Sequence, residues 1–190
     1  MEFQYLVTKI FVDGELKLDP ARVVNVFHRW VAQQSLPGTL VDVAELLHVP
    51  AGPGVVLVGV EADYALDHTG HRWGLLYRRK APVAGTNAER VEQSFRAAAE
   101  VARLLEEEFV GELKFSRSEF AITVNDRALA ANTPETFAAA KPEFEAALKD
   151  LLGHGDFSLA PLDSDPRRRF GVIVTSAAPF DLAALAPAKV

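Results

Sequence analysis

The sequence predicts an α+β protein: a two-layer sandwich in which three main helices cover one face of a largely antiparallel sheet. Three observations lead there. Three segments open with a helix-start signal and continue with apolar residues at helical spacing. The stretches between them are short, rich in β-branched and aromatic residues, and bounded by Gly, Pro, Asn or Asp. Finally, the order strand, helix, strand, strand occurs once near the start of the chain and again near its end.

Each element has its own warrant. Gln4 to Val12 carries Leu6, Thr8, Ile10 and Val12 in alternation and predicts a strand. Asp19-Pro20 then supplies a capping acid and a proline at the first helical position, where its missing N–H costs nothing. The helix is expected to run to about Gln34, with Val23, Val24, Phe27, Trp30 and Val31 on its apolar side, before Pro37-Gly38 ends the segment. Leu40 to Val49 predicts a second strand, with Val41, Val43, Leu47 and Val49 on one face and Asp42 and His48 on the other.

The stretch GPGVVLVGVEADYALD, Gly52 to Asp67, predicts a third strand whose core face is Val56, Val58, Val60, Ala62, Tyr64 and Leu66. Arg72 to Lys80 predicts a fourth. A turn at Thr69-Gly70 sets these two in a register where Asp67 faces Arg72, Glu61 faces Arg78, Leu66 faces Trp73 and Tyr64 faces Leu75. Asp63 is then left without a charged partner.

Thr86-Asn87-Ala88-Glu89 spells a capping box and opens the clearest helix, 87–109, with Val91, Phe95, Ala98, Ala102, Leu105 and Phe109 along one stripe. A strand around Phe120 to Val124 follows. Asn132-Thr133-Pro134-Glu135 starts the third helix, carrying Phe137, Phe144, Leu148 and Leu151 and stopping at Gly153. Phe157 to Leu162 and Gly171 to Ser176 predict two more strands, and 176–190 a short helix with a loose end. The two copies of the strand-helix-strand-strand order agree in length, 34 positions from Pro20 to Gly54 against 37 from Pro134 to Gly171. They suggest a pseudo-duplicated β-α-β-β unit within one domain of 190 residues, its halves about 1–85 and 112–178 joined by the helix at 87–109. Whether the halves share one sheet stays open at this point.

Composition narrows the function classes. The 49% hydrophobic content is enough for a real core, and the net charge of −6 argues against a general nucleic-acid binder. With no cysteine, disulfides, thiol chemistry and Cys-ligated metals drop out. The first residues are interrupted by Glu2, Lys9 and Asp13, and no window is apolar enough for a membrane span, so the expectation is a soluble cytoplasmic protein.

Motifs for chemistry are weak. Gly54 and Gly59 enclose four residues, the spacing of a phosphate loop, but Val60-Glu61 follows where Lys and Ser or Thr are needed. No serine sits in G-x-S-x-G. His68 and His71 flank the expected turn with Asp67 nearby, too few ligands for a metal site, and His28 reads as a surface histidine. No metal or cofactor is expected. Two basic clusters, Arg78-Arg79-Lys80 and Arg167-Arg168-Arg169, stand at strand ends, where they suit either an anion, an acidic partner surface or plain edge protection.

The segments FHRW at 27–30, DVAELLHVPAGPGVVLVGVEADYALD, GLLYRRK and VNDRALAANTPETF resemble a family of bacterial proteins of about this length that carries no assigned activity. The resemblance spans most of the chain and implies no catalytic residue. Two expectations follow. The first is a non-enzymatic protein that binds a protein partner or self-assembles through a sheet edge or face. The alternative is a small-molecule (anion or metal) binding or enzymatic site in a cleft between the halves, built from Asp42, His48, Glu61, Asp63 and Arg78, with Arg79, Lys80, Arg167, Arg168 and Arg169 as an anion or partner patch.

Overall fold

A computed structural model describes residues 1–186. The chain runs β1 (Leu6–Val12), α1 (Arg22–Gln33), β2 (Leu40–Leu46), β3 (Gly54–Gly59), β4 (Ala62–Asp67), β5 (Gly74–Arg79) and α2 (Asn87–Glu108). It continues with β6 (Phe115–Val124), α3 (Pro134–Leu152), β7 (Phe157–Pro161), β8 (Gly171–Ser176) and the short α4 (Leu182–Leu185). All eight strands form one antiparallel sheet in the order β2-β3-β4-β5-β1-β6-β8-β7. The architecture is the expected α+β class with three main helices, and both halves contribute to a single sheet. The duplication is not established by it: β6 lies directly beside β8, whereas β4 and β5 separate β1 from β3.

The helices form where their start signals stand. Thr86 accepts from the Glu89 N–H at 3.2 Å while the Glu89 carboxylate takes the Thr86 N–H at 2.7 Å, the reciprocal box that the sequence spells. Such a cap contributes about 1 kcal/mol. Thr133 caps α3 through the Thr136 N–H, and Gly153 ends it in the left-handed conformation at φ +75°. The whole predicted stripe of α2, Val91 to Phe109, is buried. Phe95, Phe120 and Phe180 meet edge to face around it with centroids 4.6–5.6 Å apart, each pair adding roughly 0.5–1.5 kcal/mol beyond its buried area. Thr8 of β1 and Ser94 of α2 satisfy each other inside this core at 2.7 Å. The start of α1 differs: Asp19 accepts the Ala21 N–H at 3.0 Å, and regular helix begins at Arg22.

The middle of the sheet corrects the sequence reading. Gly52 to Asp67 is not one strand but two, reversing at Val60-Glu61. The core face of β3 is therefore the odd one, with Val55 and Leu57 fully buried, while Val56 and Val58 point to the other side and Val60 is exposed. Only Ala62, Tyr64 and Leu66 keep the expected orientation. The β4–β5 register also moves by two residues, because Thr69–His71 forms a turn of 3-10 helix in place of a tight two-residue loop. Asp63 now faces Arg78, Tyr64 faces Tyr77 and Leu66 faces Leu75. Neither expected charge pair, Asp67 with Arg72 nor Glu61 with Arg78, is formed: Asp67 binds Lys9 of β1 at 2.5 Å, and Arg72 binds Glu119 of β6 at 2.6 Å.

Smaller differences have local causes. A bulge between Leu40 and Asp42 leaves Val41 on the surface instead of in an apolar face, and β2 ends at Leu46, which leaves Val49 exposed in the turn beyond it. β6 starts five residues earlier than expected, at Phe115, and β7 ends at Pro161. The expected C-terminal helix is α4, and the loose end, 187–190, lies outside the described residues.

Candidate functional site

The order of strands leaves a gap in the helical layer. A helix with its side chains is about 10–12 Å across and covers about two strands spaced near 4.8 Å. α1 packs on β2 and β3, and α2 packs on β1 and β5. Between them β4 has no helix above it, and a cleft of about 520 Å³ opens there. Its floor is Ala62 and Tyr64 of β4 with Tyr77 and Arg79 of β5. The α1–β2 connection, Leu36 to Leu40, forms one wall, and Gln93, Arg96, Ala97, Glu100 and Val101 of α2 form the other. Gly59 and Glu61 bring in the β3–β4 reversal.

Polar groups in the cleft are held in place by the fold. The two tyrosine rings lie 5.3 Å apart, and the Tyr77 hydroxyl accepts from Gln93 Nε2 at 2.9 Å. Burial, with Tyr77 and Glu100 close by, raises the Tyr64 phenol well above its ordinary value, so it remains an O–H donor. Glu61 is fixed from the opposite wall, where the Thr39 N–H donates to Oε2 at 3.0 Å. That hydrogen bond, with lesser help from the Arg79 and Lys80 charges, holds the carboxyl below its usual range. The approach requires glycine at position 38, whose φ is +88° and where a Cβ would stand 2.7 Å from Glu61 Oε2. Arg79 donates through Nε to Ala81 O at 3.0 Å. Arg96 is engaged by Glu92 at 2.8 Å and by Leu185 O at 2.9 Å.

The structure divides the residues expected to form one site. Glu61 and Arg79 line the cleft. Asp63 and Arg78 point to the opposite face of the sheet, since successive residues of a strand face opposite ways and their neighbours Ala62, Tyr64, Tyr77 and Arg79 line the cleft. There Asp63 is buried and far from unpartnered: it accepts Gly59 N–H at 3.2 Å, pairs with Lys80 at 2.7 Å and takes two hydrogen bonds from Arg78. Lys80 also donates to Gly59 O. This cluster staples the β3–β4 reversal. Burial pushes the Asp63 carboxyl up, but the hydrogen bonds and charges of Lys80 and Arg78 outweigh it and hold it below 3.8.

Asp42 is exposed and accepts the neighbouring Val43 N–H at 2.8 Å, and His48 is exposed beyond the end of β2, so neither joins the cleft. Arg167 pairs with Asp165 at 2.8 Å and Arg168 approaches Asp163 at 3.9 Å, all in the β7–β8 connection with Arg169. This cluster lies at the same end of the sheet as Arg78 to Lys80, three strands away, or about 14 Å. His68 stacks on Trp73 with centroids 4.4 Å apart, and His71 lies 6.1 Å from it. Among the described residues, no group of three or more His, Asp or Glu is placed to hold a metal ion.

Tyr64, Tyr77, Gln93, Arg96 and Glu100 are cleft residues that the sequence reading left out. The tyrosines read as core. On α2 the only signal was Glu92, Arg96 and Glu100 at four-residue spacing, flanking the apolar stripe, which is also the pattern of an ordinary solvated helix face.

No protein-family model, curated protein or solved structure matches the chain. Among the described residues no helix is long and apolar enough to cross a membrane.

The Asp63 staple has a pH signature. Because its folded pKa lies below the unfolded value of 3.8, its stabilisation is complete above that value and disappears as the pH falls through the folded one. Urea unfolding of Asp63→Asn at pH 7 is expected to show a loss of about 2 kcal/mol relative to the parent chain. The difference should stay level down to about pH 5 and shrink below pH 4; a gap that is independent of pH down to 2.5 contradicts the assignment.

Proposed function

We propose that the cleft over β4 binds a small polar organic molecule. One observation carries the reading: a cavity of about 520 Å³, within the 300–1,000 Å³ range of small-molecule sites, is floored by two tyrosines and receives fixed polar groups from β4, β5, α2 and the α1–β2 connection. The apolar share of its lining, Leu36, Leu40, Ala97 and Val101, supplies contact area, and Glu61, Arg79 and Gln93 supply direction. The alternative drawn from the sequence put the cleft between two repeat halves; this one lies instead within residues 36–101, beside α2.

A second reading, association with a protein partner or with another copy of the chain, is favoured by the sheet's other face. One row crosses all eight strands there: Ala44, Val56, Ala65, Leu76, Lys9, Ala121, Ile173 and Ala160. Its single charge, Lys9, is neutralised by Asp67, and no helix among the described residues covers it. Such a face resembles half of a sheet-on-sheet packing.

The two readings separate experimentally. A thermal-shift screen of small polar metabolites is expected to stabilise the parent chain but not Ala97→Trp, whose indole fills the cleft; a compound that stabilises both equally, or a screen with no hit, counts against the cleft. For the sheet face, sedimentation velocity at about 10–100 μM should show a dimer that Ile173→Glu dissociates, and a parent chain that is monomeric throughout would sink self-assembly.

A further inference from the structure

We infer that the cleft is built for a small zwitterion of the α-amino-acid type, its anionic group held by Arg79, its ammonium group by Glu61 and its side chain lying against Tyr64. This rests on the cleft being a ligand site and adds the class of ligand.

Most charges in the cleft are already spent. Glu89 closes the helix cap with Thr86. Glu92 and Arg96 hold each other, and Arg96 also donates to Leu185 O. Glu100 is engaged as well. Glu61 and Arg79 remain. Among the described residues Arg79 has no carboxylate within ion-pair distance, and one of its five N–H donors goes to Ala81 O. Glu61 accepts the Thr39 N–H and keeps lone pairs for further donors.

These two side chains are neighbours of opposite sign that do not touch. Arg79 sits across from Ala62, the residue after Glu61, and its charge bears on the Glu61 carboxyl. The Thr39 N–H draws that carboxylate toward the other wall, so the two charges face the same cavity without closing on each other. A simple anion there would meet Arg79 and be repelled by Glu61, and a simple cation would meet the reverse. An apolar molecule would strip water from both charges and replace it with nothing. A zwitterion satisfies the pair at once, and the α-amino acid carries its two charged groups on a single carbon. Beside them the ring of Tyr64, with Leu36, Ala97 and Val101, offers an apolar surface for a side chain, which favours aromatic and large aliphatic amino acids.

The test uses calorimetric titration of the full chain with the twenty standard L-amino acids, followed by the amine lacking the carboxylate and the acid lacking the amine of whichever binds best. For phenylalanine these are phenethylamine and 3-phenylpropionate. The parent chain is expected to bind at least one aromatic or large aliphatic amino acid at least tenfold more tightly than either analogue. Arg79→Met should lower that affinity at least tenfold while leaving the amine's unchanged, and Glu61→Gln should do the same while leaving the acid's unchanged. The retained analogue shows in each case that the variant is folded. Equal affinity for the amino acid and one analogue, no binding by any of the twenty, or loss of all three compounds by both variants overturns the inference. The first of these outcomes leaves the cleft reading standing, and a ligand of another class that Ala97→Trp excludes would do so as well.

Discussion

The β4–β5 hairpin lies between β3 and β1, and it moves the strands under α1 away from the strands under α2. Neither helix is free to slide over the gap. α1 is tied to edge strand β2 by a short connection that Gln34 and Leu40 pin with two hydrogen bonds, at 2.9 and 3.0 Å. α2 is held over the centre by the Phe95–Phe120–Phe180 cluster, the Thr8–Ser94 bond and its packing on α3. The floor of the cleft is therefore a consequence of sheet width set against helix diameter, and the nearly buried Tyr64 and Tyr77 form its base.

The same hairpin organises the opposite face through charge. Asp63 draws Arg78, Lys80 and the Gly59 N–H together, and Asp67 draws Lys9 across from β1, where Thr69 O takes a second hydrogen bond at 2.9 Å. Burial lowers the Lys9 pKa, and the Asp67 carboxylate opposes that without cancelling it. Asp63 makes the β3–β4 reversal on one side of the sheet, and that reversal presents Glu61 to the cleft on the other. A cluster on one face thus positions a ligand group at the cleft on the other through the turn between β3 and β4.

Much of this was readable from the chain because it is local. The capping box at Thr86, the cap and proline at Thr133-Pro134, the stop at Gly153 and the stripe of α2 depend on residues three or four apart. The reversal at Val60-Glu61 does not. Neither residue takes a positive φ, and beyond the nearby Asp63 carboxylate the bend is supported by Thr39 O, just before β2, accepting the Val60 N–H at 2.8 Å and by Lys80, just after β5, partners distant in sequence. Missing it inverted the core face of β3, while the tight turn expected at Thr69-Gly70 set Glu61 against Arg78 and left Asp63 without a partner. The cleft was illegible for the same reason: Tyr64 and Tyr77 have the pattern of core residues and are buried as such, and only the placement of α1 and α2 decides that a cleft opens beside them.

The absence of cysteine from the chain permits a direct test of that placement. Ala62, on the cleft floor, and Ala98, on the core face of α2, are both buried alanines, and each can be replaced singly by cysteine. If β4 lies open between the helices, a small thiol reagent labels Ala62→Cys in the folded protein at a rate independent of global stability, while Ala98→Cys reacts only as the chain unfolds. Equal protection of both thiols would mean that the helical layer closes over β4, and would contradict the account.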